Sequence, residues 1–336
     1  MFKYSLNVPP WQNLSLSNLN LHSDFKNELE AMFKKPVLLT NSGRTGLSCY
    51  LQNTHWVKQK VLVPAIICSS VVDCVRNAGL EPVIIDVGND GNIDLEKAKE
   101  YLELHDDVGG MVVAHMHGLP VDMGKAFRLC KKHSVKLIDD AAQAFGGKFK
   151  NCWLGSFGDC GILSFGPGKM ISAGGGALIT KHRINVALED DASRYPQIYW
   201  DFYRRKRNSP LEVLKRKLMN KKTIVALRGM NGFDAKINLL QLLDLRNIVR
   251  RRQENARVIL GRRFNPDCVY TKLVVPRLWI PKERNFQIDI VNPPVGTQEE
   301  CPNAWEYFES HRVIPNEPWI TVEGMEEINE HLQRTD

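Results

Sequence analysis

Three features of the sequence predict an α/β fold built on a mostly parallel central sheet with helices on both faces. Between residues 23 and 180, short apolar runs alternate with stretches of helical period. The apolar runs are unbroken Val/Ile/Leu segments, the mark of strands buried on both sides. Several of the helical stretches close on Gly or Asn, residues that end helices.

The elements follow in order. Ser23 can cap a first helix that places Phe25, Leu29, Met32 and Phe33 on one face. Strand candidates are 36–40 (PVLLT), 60–64 (KVLVP), 82–86 (PVIID), 110–114 (GMVVA) and 135–139 (VKLID). Helical patterns fill 45–53, 68–78, 94–103 and 121–132. Ligands of such sheets lie beyond the carboxyl ends of the strands, so the loops that follow the strands are where chemistry is expected. Residues 234–263 read as one long helix, with Leu239, Leu242, Leu243 and Leu245 leading into a basic end at Arg250, Arg251 and Arg252. Beyond 264 the pattern is weaker and proline-rich, with a last helix near 323–333. The expected division is a large domain over 1–245 and a small C-terminal domain over 246–336. There is no internal repeat.

Composition narrows the class. At ~100–200 residues per domain, 336 residues give one large domain and a smaller companion. Hydrophobic residues at 43% and charged residues at 25% suit a globular chain and exclude a disordered or fibrous one. No apolar run reaches the ~18 residues of a membrane helix, and MFKYSLNVPPWQNLS does not read as a secretion signal, so a cytoplasmic location is expected. The eight cysteines form no C-x-x-C pair and no Cys/His cluster at zinc spacing; reduced thiols and no metal site are expected.

The net charge of +7 is uneven. Arg204, Arg205, Lys206 and Arg207 are followed by Lys215, Arg216, Lys217, Lys221 and Lys222. Such a stretch is a solvated helical face or a patch for a phosphate-bearing substrate or anionic surface. It lacks aromatic interleaving, which argues against nucleic acid.

Three strand-end segments carry candidate chemistry. Ser42-Gly43-Arg44-Thr45-Gly46 lies between a strand and a helix, where backbone N–H groups and the helix dipole suit an anion; glycine-rich turns before helices are also common without one. Ile138-Asp139-Asp140-Ala141-Ala142-Gln143 closes the fifth strand, and its carboxylates are helix caps or site groups, with the role of each aspartate open. Ser164-Phe165-Gly166-Pro167-Gly168-Lys169 precedes Ser172-Ala173-Gly174-Gly175-Gly176. A lone lysine there is an exposed surface lysine by default. The nucleotide P-loop is excluded, because Met170 follows the lysine and Leu163 stands where that motif needs its first glycine.

Together and in this order the segments resemble the DegT/DnrJ/EryC1/StrS family of pyridoxal-phosphate sugar aminotransferases. The resemblance is close over about 36–180, through VLVPAIICSSVVDCVRNAGLEPVIIDV, VVAHMHGLPVDM and KLIDDAAQAFGGKFKNCWLGSFGDCGILSFGPGK, and fainter to about 250. It implies a fold type I pyridoxal 5'-phosphate transferase with a small C-terminal α/β domain. It makes Lys169 the lysine that carries the cofactor and moves protons, Asp140 the partner of the pyridine nitrogen, and Gln143 a contact of the ring hydroxyl. Ser164, Arg44 and Thr45 would hold the phosphate. It further implies a homodimer with a shared site, with Asn231 as the asparagine lent by the partner subunit; a surface-loop asparagine is the alternative, since Gly232-Phe233 replaces the usual aromatic-arginine pair.

Two departures stand out. The aromatic residue that commonly stacks on the cofactor is matched by Cys68, and the family's His-Tyr-Pro-like loop is not recognisable, with Asn292-Pro293-Pro294 in its place. His115 and His117 lie in the family's turn segment and are read as structural. The implied reaction moves an amino group from L-glutamate to a keto-sugar, nucleotide-linked in relatives, for amino-sugar, surface polysaccharide or antibiotic-sugar biosynthesis. The alternatives are a non-catalytic protein of the same fold, an aminotransferase for a non-sugar ketone, or the sugar dehydratase branch, against which Lys169 argues because that branch carries histidine instead.

Overall fold

The computed structural model describes residues 21–166, 168–189, 227–270, 272–276, 293–316 and 322–333. The basic stretch from Arg204 to Lys222 and Asn292 lie outside the described residues.

The chain runs α1 (Leu21–Phe33), β1 (Val37–Thr40), α2 (Gly43–Asn53), β2 (Lys60–Pro64), α3 (Ser69–Asn77), β3 (Glu81–Ile85), α4 (Leu95–Leu104), β4 (Val108–Ala114), α5 (Met123–His133) and β5 (Lys136–Asp140). A short hairpin, β6 (Lys148–Phe149) and β7 (Cys152–Trp153), precedes β8 (Cys160–Ser164) and β9 (Gly176–Thr180). Then come α6 (Gly232–Leu243), α7 (Leu245–Leu260), β10 (Lys272–Pro276), α8 (Pro302–Ser310), β11 (His311–Pro315) and α9 (Val322–Gln333). All five predicted strands form, with ends shifted by a residue or two. Local capping supports the helices: the side chains of Ser42, Asp94 and Asp122 accept N–H groups at the starts of α2, α4 and α5.

Seven strands form the central sheet in the order β1-β9-β8-β5-β4-β2-β3. Five of them, β8, β5, β4, β2 and β3, run parallel, and β9 is antiparallel to both β8 and β1. The carboxyl ends of β1, β8, β5, β4 and β2 therefore lie along one edge. Strands β8 and β9 go beyond the expectation. CGILS and GALIT are short, set among glycines and not among the strand candidates; their pairing across Gly161↔Ile179 and Leu163↔Ala177 is a tertiary outcome.

Side-chain alternation assigns the two faces. Leu62, Met111, Val113, Leu137 and Leu163 pack on the side of α1, α4, α5, α6 and α7. Val61, Val63, Val112, Ala114, Ile138 and Ile162 pack on the side of α2, α3 and α8.

The long helix expected over 234–263 is in fact two helices. Asp244 leaves the helical region at φ −98°, ψ 7°, its N–H donates to the carbonyls of Gln241 and Leu242, and its carboxylate accepts from Asn247. The break lets α6 lie along α1 while α7 takes its own direction against α9. On α7 the buried positions Leu245, Ile248, Arg252, Asn255, Ala256 and Ile259 form one helical stripe, so Arg252 points inward although Arg250 and Arg251 do not.

The C-terminal helix α8 is anchored to the large sheet. Asp86, just past β3, accepts the N–H groups of Ala304 (2.9 Å) and Asn303 (3.2 Å) and the ammonium of Lys97 (2.7 Å). A carboxylate at a helix start satisfies orphan amides and meets the positive end of the helix dipole.

Candidate active site at the carboxyl edge of the sheet

The adjacent aspartates have opposite fates because a strand alternates its faces. Asp139 turns to the α1 side, where it is fully buried and saturated. Its Oδ2 accepts from the N–H groups of Gly155 (2.7 Å) and Phe157 (2.9 Å), and its Oδ1 accepts from Nε2 of His115 (2.9 Å). The N–H of Val121 donates to Nδ1 of His115 (3.0 Å), which assigns the ring hydrogen to Nε2. His115 and Asp139 thus brace the start of the turn after β4, in agreement with a structural His115.

Asp140 turns to the α2 side. It is buried, and its Oδ1 accepts the N–H of Ala142 (2.9 Å). Burial pushes its carboxyl above the usual range, partly offset by that N–H and by the nearby Lys169 charge.

Ser164, on the neighbouring strand β8 and two residues past the Ile162 that pairs with Asp140, shares this face and is half-buried. It abuts the start of α2: a Cβ built on Gly43 would come within 3.1 Å of Ser164 Cβ and 2.9 Å of the Leu163 carbonyl oxygen. A Cβ on Gly176 would lie 2.2 Å from the Gly43 nitrogen, so glycine at both positions lets β9, β8 and the α2 N-terminus close up. Arg44 is exposed at this turn. Thr45 is buried and occupied within the loop, its hydroxyl donating to Asn41 Oδ1 (2.5 Å) and meeting Ser42 Oγ at 3.0 Å, while its N–H donates to Ser42 Oγ.

Cys68 is exposed at the start of α3, beyond β2, with its Sγ 3.0 Å from Ser70 Oγ. Gln143 is half-buried and its Oε1 accepts the N–H of His117 (3.0 Å), a buried residue held at φ 59°. Lys169 is half-buried in the turn after β8, its N–H donating to the Gly166 carbonyl (3.2 Å). The fold thus gathers Arg44, Thr45, Cys68, Asp140, Gln143, Ser164 and Lys169 along one sheet edge. Asn231 is buried and caps α6, its Oδ1 accepting the N–H of Asp234 and its Nδ2 donating to Asp234 Oδ2, both at 2.7 Å, and its segment reaches the end of β1 through the Thr40↔Gly229 bridge.

Three supporting residues lie outside the motifs read from the sequence. Gln241 Oε1 accepts the N–H of Ser172 (2.7 Å), Asn238 Oδ1 accepts that of Ala173 (3.2 Å), and Asn238 Nδ2 donates to the Gly174 carbonyl (2.8 Å). Arg252 donates from Nη2 to the Lys169 carbonyl (3.1 Å). They sit more than sixty residues from the loop they hold. For Arg252 a signal existed, since an arginine at a core position of a helical stripe is an inward cation.

The sequence model of the DegT/DnrJ/EryC1/StrS aminotransferase family matches residues 15–262. The chain belongs to this family. Among curated members, the UDP-4-amino-4,6-dideoxy-N-acetyl-beta-L-altrosamine transaminase of Campylobacter jejuni is 35% identical over 101 residues, covering 30% of this chain and 27% of that protein. Among solved members of the fold, Helicobacter pylori PseC, an aminotransferase involved in the biosynthesis of pseudoaminic acid, superposes with a TM-score of 0.75 at 18% identity, covering 95% of this chain and 91% of that one. The Escherichia coli GDP-4-keto-6-deoxy-D-mannose-3-dehydratase with bound hydrated PLP gives 0.70 at 15% identity, covering 94% and 92%. The family fold therefore extends over nearly the whole chain, whereas the curated relative is matched over about a quarter of its length.

Proposed function

We propose that this family member binds pyridoxal 5'-phosphate at the carboxyl edge of the sheet and transfers an amino group from L-glutamate to a nucleotide-linked keto-sugar, releasing 2-oxoglutarate and an amino sugar. The observation that carries the reading is the shared face of Asp140, Ser164 and the α2 N-terminus, with Lys169 in electrostatic range of Asp140. The residues fit the group. A buried carboxylate raised by its own desolvation is matched by a cation, and a protonated pyridine nitrogen is one. A helix N-terminus closed over by glycines suits a phosphate.

When bound, the cofactor supplies an electron sink for the donor's α-carbon. Lys169 Nζ would carry it and then hold and move a proton. Asp140 would keep the ring nitrogen protonated, with Gln143 beside the ring and Cys68 as a small wall in place of an aromatic one. Ser164 and Arg44 would bind the phosphate, and Thr45 would brace the loop that does so. Lys169 favours aminotransfer over dehydration, for which the resemblance calls for histidine. The proposal includes a homodimer in which Asn231 serves the partner's site, and a cytoplasmic location, supported by eight free thiols.

Borohydride reduction followed by peptide mass should place the cofactor on Lys169. Glutamate should convert the bound cofactor with release of 2-oxoglutarate, and a keto-sugar should restore it. A Lys169→Ala protein that still transaminates, or a wild type inert to glutamate, would sink the assignment.

A further inference from the structure

We propose that Arg252 is the positioning residue of Lys169 and that Asn316 is its anchor; this rests on reading Lys169 as the lysine that carries the cofactor. The lysine stands in a turn with an unusual share of glycine. Gly168, Gly174 and Gly175 have φ values of 74°, 133° and 87°, a region that glycine enters without a Cβ penalty, and the loop's own ties are backbone ones, from the Lys169 N–H to the Gly166 carbonyl and from the Gly174 N–H to that of Phe165. Side chains from α6 and α7 add the remaining hold. Asn238 and Gln241, one helical turn apart on α6, hold residues 172–174, and Arg252 alone among these clamps reaches Lys169 itself, through the carbonyl on the Cα that bears the reactive side chain.

Arg252 is in turn fixed. It is 1% exposed; its Nη1 donates to the Asn316 carbonyl, and Asn316 Nδ2 donates back to the Arg252 carbonyl (3.0 Å) and to that of Tyr270 (2.7 Å). Asn316 is itself fully buried. The guanidinium fork therefore spans two acceptors on separate chain segments, one at the lysine and one in the C-terminal part. A lysine ammonium on a flexible stem cannot hold both in a fixed geometry. The arrangement makes the orientation of Lys169 depend on a C-terminal segment that the site motifs do not include.

The experiment uses full-length cofactor-loaded protein with Arg252→Lys, and Asn316→Ala as the milder change that leaves Arg252 in place. The readouts are the pH midpoint of the bound cofactor's visible absorbance and its release rate to an apo-protein trap, alongside thermal unfolding. Both variants should still be labelled at Lys169 by borohydride, with the midpoint moved by about half a pH unit or more and release roughly tenfold faster, a usual size for loss of a supporting contact. A merely structural role would lower the unfolding temperature and leave midpoint and release at wild-type values; that result in both variants overturns the inference. If Arg252→Lys does not fold, Asn316→Ala decides by the same criterion. Absence of label at Lys169 in the wild type would instead overturn the reading of that lysine and this inference with it.

Discussion

His115 donates from Nε2 to Oδ1 of Asp139 over 2.9 Å, with both side chains fully buried, and this pair holds the turn after β4 against the strand that ends in Asp140. Asp139 also takes two backbone N–H groups, so it is the hub of a satisfied network rather than a site group. Asp139→Asn puts an amide NH₂ against donors. The expected cost is about 2–4 kcal/mol of stability, from buried charge-assisted hydrogen bonds lost. Urea unfolding of the apo-protein checks it; a loss under about 0.5 kcal/mol would contradict the network.

Asp140 predicts the opposite sign. Its folded-state carboxyl lies above its ordinary value, so the apo-protein is favoured below that ordinary value and loses stability as pH rises through the folded one. Asp140→Asn removes the cost of a buried carboxylate. Near neutral pH the apo-variant should melt higher than wild type, while turnover falls about a hundredfold or more as the pairing of charge in the site is lost. Calorimetry and steady-state rates on one preparation test both; a variant that loses stability without losing turnover would reverse the assignment.

Asp86, just past the edge strand β3, contributes to acid stability. Burial by itself would raise its carboxyl, but the Lys97 ammonium and the N–H groups of Val87, Ala304 and Asn303 outweigh that and hold it below the ordinary value. Its contribution is therefore complete above the unfolded-state value and lost as pH falls through the lowered folded one. Asp86→Asn should cost roughly 1–3 kcal/mol at neutral pH and flatten the acid limb of the stability curve. Urea midpoints from pH 7 down to about 3 read the effect, and unchanged slopes would refute it.

Cys68 stands where the resemblance calls for an aromatic stack, and it is exposed, with its Sγ against Ser70 Oγ. Cys68→Phe should slow cofactor release about two- to tenfold, the worth of one aromatic pair at ~0.5–1.5 kcal/mol. Stopped-flow transfer to an apo-protein trap measures it, and faster release would place Cys68 away from the ring.

The strands from PVLLT to VKLID were legible because parallel strands buried on both faces carry their burial in an unbroken apolar run. Several helices were equally plain, since a capping side chain and a polar or glycine end are local chemistry. Strands β8 and β9 were not, because they exist only by pairing with one another and with β5 and β1. The bend at Asp244 was hidden too: an aspartate inside a leucine-rich helical run ends nothing until α1, α7 and the 172–174 loop compete for its neighbours.

The site divides in the same way. The family resemblance, carried by the order of the segments, brought Lys169, Asp140, Gln143, Ser164 and Arg44 into one hypothesis, and in the fold each of them follows or ends β1, β5 or β8, whose carboxyl ends lie on one edge. The two aspartates part at the register of β5, which turns Asp139 into the core on the α1 side and Asp140 to α2. The hold of Arg252 on Lys169 bridges 83 residues. Sequence determines what is local in bonding; contacts between distant segments are fixed only when the sheet and its helices have packed.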